Sequence, residues 1–420
     1  MALGTNRSGV DAVVWDLLQA TFGLKPDDLA ATIASLIQKH LTVDDVRIYL
    51  VDLDQVELRT LGSPPGTDVL SVDGTSAGTA FRLVEPVVEA AAATRRRLWL
   101  PIVDSAERIG VLALTDDGTV PLDDWLVLTS LVGELVVSKE GYGDVISNTR
   151  RRAPVSLAAE LRWALLPPLT FSTPEMVISG ILQPSHRVAG DAFDYSVGPR
   201  DATIGIFDAM GHDLQAALLA DQAIGGFRQA RRQHRKPADI LVSIDELLAA
   251  SFADSQFVTG QILTLDTDTG IADIWTAGHP PPVLLPQEGE PSVIPVQPGL
   301  PLGLGPSTYE RSTVALGPGD AVLLLSDGVF EARSPTGEFF GWHATVAGVH
   351  DSLRSGARAP EALRALIREV IEFQGEDVRD DATLVIVRWE PEEAGAPGAP
   401  SADHALVRPA LEPRASPPRS

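Results

Sequence analysis

Apolar positions follow two different periods along this chain, and the switches between them mark its elements. Near the start, Val13, Val14, Leu17 and Leu18 recur at helical spacing. "PDDLAATIASLIQKHL" then places Leu29, Ile33, Leu36 and Ile37 on one helical face. The runs "VRIYLVDL", "VELRTLG", "RRLWLPIV" and "RIGVLALT" are strand-like, with Gly/Pro turns splitting the pairs of short strands. "WLVLTSLVGELVVSKE" returns to a helical period. Helix, strands, a middle helical piece, strands and helix give one small α+β domain over 25–140, after a helical segment over 1–24.

The pattern loosens after residue 140. "GYGDVISN" and Arg150 to Arg152 lead into a stretch with Leu157, Leu161, Leu165 and Leu166 on one stripe, stopped by Pro167 and Pro168. The segment 141–172 is therefore expected to be a linker helix. From 173 to 390, "EMVISGILQP", "ATIGIFD", "FVTGQILTLD", "IADIWTAG", "PPVLLP", "YERSTVAL", "DAVLLLSDG" and "ATLVIVRWE" predict strands. "DLQAALLADQAIGGFRQARRQ", "PADILVSIDELLAASF" and "APEALRALIREVIEFQG" predict helices. Many strands with a few long helices suggest two sheets packed face to face with helices outside. The stretch 391–420 is Pro/Ala-rich and aperiodic, so it is expected to be disordered.

Composition narrows the function. A formal charge of -24 over 420 residues argues against nucleic acid and against anionic membranes, and is compatible with divalent cations. The chain has no cysteine, which excludes disulfides, thiolate nucleophiles and Cys-ligated metals. No signal-peptide pattern and no apolar run of about 18 residues is evident, so a cytoplasmic protein is expected.

Within 173–390 several acids end apolar runs. Asp191 lies in "VAGDAFDY", Asp208 follows "IGIF", Asp327 follows "AVLLLS", and Asp380 and Asp381 precede "ATLVIV". A carboxylate at the end of a buried strand is costly unless paired or metal-bound. Singly, each is a turn former or helix cap. As a set, they suggest one cleft whose mutual repulsion is relieved by Mg²⁺ or Mn²⁺, which favour oxygen ligands. Two such ions would activate water for phosphoester hydrolysis.

"VAGDAFDY", "FDAMGHDLQAALLA", "TAGHPPPVLL", "LLLSDGVFEAR" and "DDATLVIVR" resemble, in order and spacing, the SpoIIE/RsbU-like branch of the PPM metal-dependent serine/threonine phosphatases. The resemblance implies a β-sandwich flanked by helices, two Mn²⁺ or Mg²⁺ ions, and metal ligation by Asp208, the backbone carbonyl of Ala209, Asp327 and Asp380. It also implies that Asp191 acts directly or through water, and that Asp208 and Asp327 are the acids on which catalysis depends. Asp381 would orient its loop, and Gly211, His212 and Asp213 would shape the turn after the metal Asp. The implied substrate is a phosphoserine or phosphothreonine on an anti-sigma-factor antagonist of the STAS type. The chain departs from the pattern at Ala189, at Asp213 where Gly is usual, and at Met210, where animal-type members have a His acting as general acid. Arg187 and His279 are candidate substrate contacts, although a His before a Pro triplet is more often a turn-fixing residue. "GTSAGTAFRLVEPV" with "RRLWLPIVDSAERIGVLALT" looks like a GAF domain, which implies ligand sensing or homodimerisation through that domain and the linker helix. A degenerate phosphatase scaffold and a small-molecule phosphoesterase remain as alternatives.

Two signals are discounted. Ser76 sits in a G-x-S-x-G match with no histidine after it in the same domain. "LDTDTGIADI" imitates a calcium loop but has Ala277 where the twelfth-position Glu is needed, and reads better as a hairpin turn.

Overall fold

The alternation of side chains in the central strands explains the layering, because nearly every strand residue meets an apolar layer on its own side. A computed structural model of the chain describes residues 9–64, 66–91, 94–183, 190–211, 214–252, 256–375 and 381–391. The chain divides into two compact units, with the boundary between Arg152 and Ala153.

In the first unit the order is α1 (Val10–Ala20), α2 (Leu29–His40), β1 (Val43–Val51), β2 (Glu57–Thr60), β3 (Val69–Ser71), α3 (Ser76–Leu83), β4 (Val87–Ala90), β5 (Arg96–Asp104), β6 (Glu107–Asp116), α4 (Leu122–Glu140) and α5 (Val145–Thr149). Its six strands form one antiparallel sheet in the order β3-β2-β1-β6-β5-β4. Leu112 and Leu114 of β6 face the core shared with Leu17, Ile33 and Trp125. Their neighbours Val111 and Ala113 face Phe81 of α3. Ser76 is the first residue of α3 and bonds the Glu89 carboxylate, which leaves the G-x-S-x-G match as a helix start.

The second unit runs α6 (Leu157–Leu165), β7 (Thr170–Thr173), β8 (Met176–Gln183), β9 (Asp191–Val197), β10 (Asp201–Ala209), α7 (Leu214–Arg232), α8 (Pro237–Ser251), β11 (Val258–Asp266), β12 (Ile271–Ala277), β13 (Val283–Leu285), β14 (Ser292–Val293), β15 (Pro298–Gly299), β16 (Ser312–Ala315), β17 (Ala321–Leu325), α9 (Asp327–Phe330), α10 (Trp342–Arg354), α11 (Ala359–Gln374) and β18 (Ala382–Trp389). One sheet has the order β15-β12-β11-β10-β9, with β16 also on β12; the other is β14-β13-β17-β18-β8-β7. Ile204, Ile206, Phe193 and Leu263 of the first meet Ile178, Val322, Leu324 and Val385 of the second in a shared core. Burying each such side chain contributes roughly 1.5–3 kcal/mol. The outer face of the first sheet packs on α7 and α8 through Phe207, Ala217, Phe227 and Ile244. The outer face of the second packs on α10 and α11 through Leu323, Ile386, Val349 and Leu363. The α+β expectation thus resolves as helices, sheet, sheet and helices. Gly180 of β8 makes this spacing workable, since a Cβ there would lie 2.4 Å from the Phe193 ring.

Several elements lie outside the predicted strands and helices, among them β7, β9, β14, β15, α9 and α10. β9 is acid-rich, and its buried Asp194 is neutralised by Arg228 and Arg231 of α7, at 2.9 and 3.0 Å. α10 has a sparse apolar face. Within 141–172 there are two short helices, α5 and α6, one in each unit. The leucine stripe of α6 is not its most buried face: Leu157 is 64% exposed and Leu161 and Leu165 are half-buried, whereas Ala158, Ala159 and Arg162 are buried. The reason is the partner, because α7 presents Ala216, Ala217 and Ala220 and small residues permit close approach. "LDTDTG" is the β11–β12 turn, with Asp266 accepting from the Asp268 and Thr269 N–H groups. The segment from 392 onward lies outside the described residues. Among the described residues, no helix is long and apolar enough to cross a membrane.

Candidate metal centre

Strand alternation decides where the acids point. In β10, Ala202, Ile204 and Ile206 face the opposing sheet, while Phe207 and Ala209 face the helices. Asp208 continues the first series, so it lies on the inter-sheet face. In β9, Phe193 is inter-sheet and Ala192 faces the helices, which puts Asp191 on the inter-sheet face as well. Asp191 and Asp208 are directly opposed partners of the β9–β10 ladder. Such partners hold their Cβ atoms about 4.5–5.5 Å apart. Asp191 is 1% exposed; Asp208 is half-buried.

The opposing sheet closes on the same point. Ser326, which follows β17 and precedes α9, donates its hydroxyl to Asp191 Oδ2 at 2.7 Å. Ser326 Oγ in turn accepts the Thr383 N–H at 2.9 Å. Asp327 is the next residue and opens α9. Asp381 immediately precedes β18, and its Oδ2 accepts the N–H of Gly190 at 2.6 Å and of Asp191 at 3.4 Å. Gly190 has no side chain for a reason visible in its surroundings. A Cβ there would lie 2.7 Å from the Ala209 carbonyl oxygen, 3.1 Å from that of Gly211 and 3.6 Å from Asp381 Oδ2. Gly211 itself has φ +99°, a backbone conformation that favours glycine.

The electrostatics follow from this crowding. Burial, then the charges of Asp208 and Asp381, push the Asp191 carboxyl well above the usual carboxylate range, against the pull of the Ser326 hydrogen bond. Carboxylates and carbonyl oxygens gathered here form a donor set that suits a hard divalent cation. Among the described residues, however, no group of three or more His, Asp or Glu is arranged to hold a metal on its own. Asp380 lies outside the described residues, as do Arg187, His212 and Asp213. Met210, just after Ala209, is 50% exposed.

His279 follows β12 and is 4% exposed. Its Nδ1 shares a hydrogen bond with Thr259 Oγ1 at 2.9 Å, and Thr259 is the β11 partner of Asp208. The ring is therefore held on the β11 residue that pairs with Asp208. Burial holds its pKa down to about 3, from an ordinary 6.5, so it is neutral at physiological pH. On unfolding the ring regains its ordinary affinity, so the unfolded state binds the proton first. The contribution is intact above about pH 6.5 and is lost as pH falls toward about 3, with a slope of at most about 1.4 kcal/mol per unit. His279→Gln should flatten this part of the acid limb. Urea midpoints of both proteins between pH 7 and 4 test it; parallel curves would refute it.

Ser326 and Gly190 are absent from the sequence-derived site. Their signals were a Ser directly before the Asp-Gly of "LLLSDG" and a Gly directly before Asp191. Only the cross-sheet contacts give these residues a purpose.

Comparison with known proteins places the segment. Residues 198–390 match the family described as Stage II sporulation protein E (SpoIIE). The chain is 22% identical over 238 residues to the phosphoserine phosphatase RsbU of Bacillus subtilis (strain 168), covering 56% of this chain and 70% of that protein. Among solved structures, the SiaA-PP2C domain of Pseudomonas aeruginosa is 24% identical, with a TM-score of 0.47 over 56% of this chain and 94% of that one. The catalytic domain of the serine/threonine phosphatase PstP, in complex with two manganese ions, is 13% identical, with a TM-score of 0.40 over 51% of this chain and 99% of that one.

Proposed function

We propose that this chain is a metal-dependent protein serine/threonine phosphatase, a reading supported by the match of residues 198–390 to the family described as Stage II sporulation protein E (SpoIIE). The observation that carries the reading is the convergence of Asp191, Asp208 and Asp381 between the two sheets, with Asp327 one residue from the Ser326 that bonds Asp191. Asp191, Asp208, the Ala209 carbonyl, Asp327 and Asp380 would hold the cations. When bound, Mn²⁺ or Mg²⁺ would supply positive charge for the phosphoryl oxygens and would lower the pKa of water toward neutrality.

The chain's own residues do the positioning. Asp381 pins the Gly190–Asp191 backbone, and Ser326 fixes one Asp191 oxygen so that the other is directed by the strand. Met210 offers no proton at the position after Ala209, so the leaving serine or threonine oxygen takes its proton from water. His279, buried and neutral, supports β11 next to Asp208.

The finer reading is a phosphorylated regulatory protein of the STAS type as substrate, with the segment 25–140 as a GAF-like input domain. The match to a phosphoserine phosphatase over 70% of its length supports the phosphoserine part of this reading. The test is release of phosphate from phosphoserine-bearing STAS proteins and from a small aryl phosphate, with Mn²⁺ and with EDTA. A kcat/KM at least about 10²-fold higher for the phosphoprotein, abolished by EDTA, is expected. Equal values would favour a small-molecule phosphoesterase, and no release from either would favour a catalytically degenerate scaffold.

A further inference from the structure

The second sheet of the 153–399 unit ends on an open edge. β14 stands last in its order and pairs with β13 through Val283↔Val293 and Leu284↔Ser292. The Ile294 N–H donates to the Pro282 carbonyl at 2.8 Å. That bond makes Val283↔Val293 a non-hydrogen-bonded pair of the antiparallel ladder, so the N–H and C=O of Val293 turn away from β13 toward the free edge. Val293 is 47% exposed. Pro291 and Pro295 bracket it and have no N–H, which limits any further pairing to a short segment.

Beside this edge runs a groove of about 320 Å³. Val283 and Val293 line it from the sheet, and Trp342, Val346 and Ala347 line it from α10. His350 ties α10 to the end of β13, because its Nε2–H donates to the Pro286 carbonyl at 2.9 Å. The groove carries two exposed carboxylates, Glu290 and Asp351, and is lined by no Lys or Arg among the described residues. Val283 packs toward α10 and α11, so the groove lies on the outer face of its sheet, whereas the acids of the metal centre lie between the sheets.

We propose that this groove docks an extended, basic segment of a partner protein, which adds to β14 as one more strand. Strand addition takes its affinity from main-chain bonds and its choice of partner from pockets for alternate side chains. The Val293 N–H and C=O supply the main-chain bonds. An apolar side chain of the segment packs between Val293 and Trp342, and Lys or Arg on either side of it meets Glu290 and Asp351. A second copy of this chain complements the groove poorly, because its own formal charge is -24.

The test is fluorescence anisotropy on the full chain with two labelled heptapeptides of alternating valine and threonine, one ending in arginines and the other in glutamates. The basic probe is expected to bind at least about 10-fold more tightly than the acidic one. Val293→Pro removes the outward donor but keeps the Ser292 and Ile294 bonds to β13, and is expected to weaken the basic probe about 5–10-fold. Glu290→Gln combined with Asp351→Asn should bring the two probes within about 2-fold of each other. Absence of binding, equal affinity for the two probes on the parent chain, or full affinity in Val293→Pro would each overturn the proposal. Should Val293→Pro fail to fold, Ala347→Arg, which fills the groove from α10, decides in its place: unchanged binding of the basic probe overturns the proposal. Size-exclusion chromatography of the chain without probe checks the other occupant. A dimer that Ala347→Arg dissociates would make the groove a contact between copies and overturn the partner reading.

Discussion

Asp208→Asn is expected to lower phosphatase turnover by at least about 10²-fold while raising the melting temperature of the metal-free protein. The loss has a floor, because changing groups that merely orient metal ligands already costs about 10–100-fold. The gain in stability comes from the geometry. Asp208 directly opposes Asp191 across the β9–β10 ladder, and its charge is one of the causes that push the Asp191 carboxyl up. Removing that charge relieves repulsion at a buried position and leaves a side chain of nearly the same shape. A relief of about 1 kcal/mol corresponds to roughly 2–4 °C for a unit of this size. Calorimetric scans in EDTA, paired with steady-state kinetics in Mn²⁺, measure both effects. A variant that keeps full turnover would remove Asp208 from the centre, and one that melts lower would contradict the crowding argument.

Gly190→Ala is expected to be nearly as damaging to activity without altering any acid. The new methyl group would lie 2.7 Å from the Ala209 carbonyl oxygen and 3.1 Å from that of Gly211, both of them backbone atoms. Neither carbonyl has the freedom of a side chain, so the β10 end or the 190–191 backbone must shift. That shift would move the Ala209 carbonyl and stretch the 2.6 Å bond from the Gly190 N–H to Asp381. Misplacement of reacting groups by about 1 Å commonly costs about 10²-fold. The expected result is a loss of that order in kcat with weaker Mn²⁺ binding and a far-UV spectrum unchanged from the parent. Parent-like kinetics would mean that the two carbonyls have no part in the site.

The identity of the acids was legible from the chain alone, because an Asp at the end of "IGIF" or "AVLLLS" stands out against its apolar neighbours. The alternation of β10 and the long periodic runs of α7, α8 and α11 were legible for the same reason: each is a local pattern, and local patterns survive in a one-dimensional string. β9 was not, since an acid-rich strand is disfavoured until Arg228 and Arg231 arrive from α7 to neutralise Asp194. Nor was the packed side of α6, where Leu157 looks outward and Arg162 looks in. The direct opposition of Asp191 and Asp208, the Ser326 contact across 135 residues and the carbonyl ring around Gly190 belong to tertiary structure alone. Ladder register and sheet-to-sheet contact join residues far apart in sequence, and a one-residue slip would turn either acid to the opposite face. The chain by itself thus determined which acids end apolar runs; the packing of two sheets decided which of them meet.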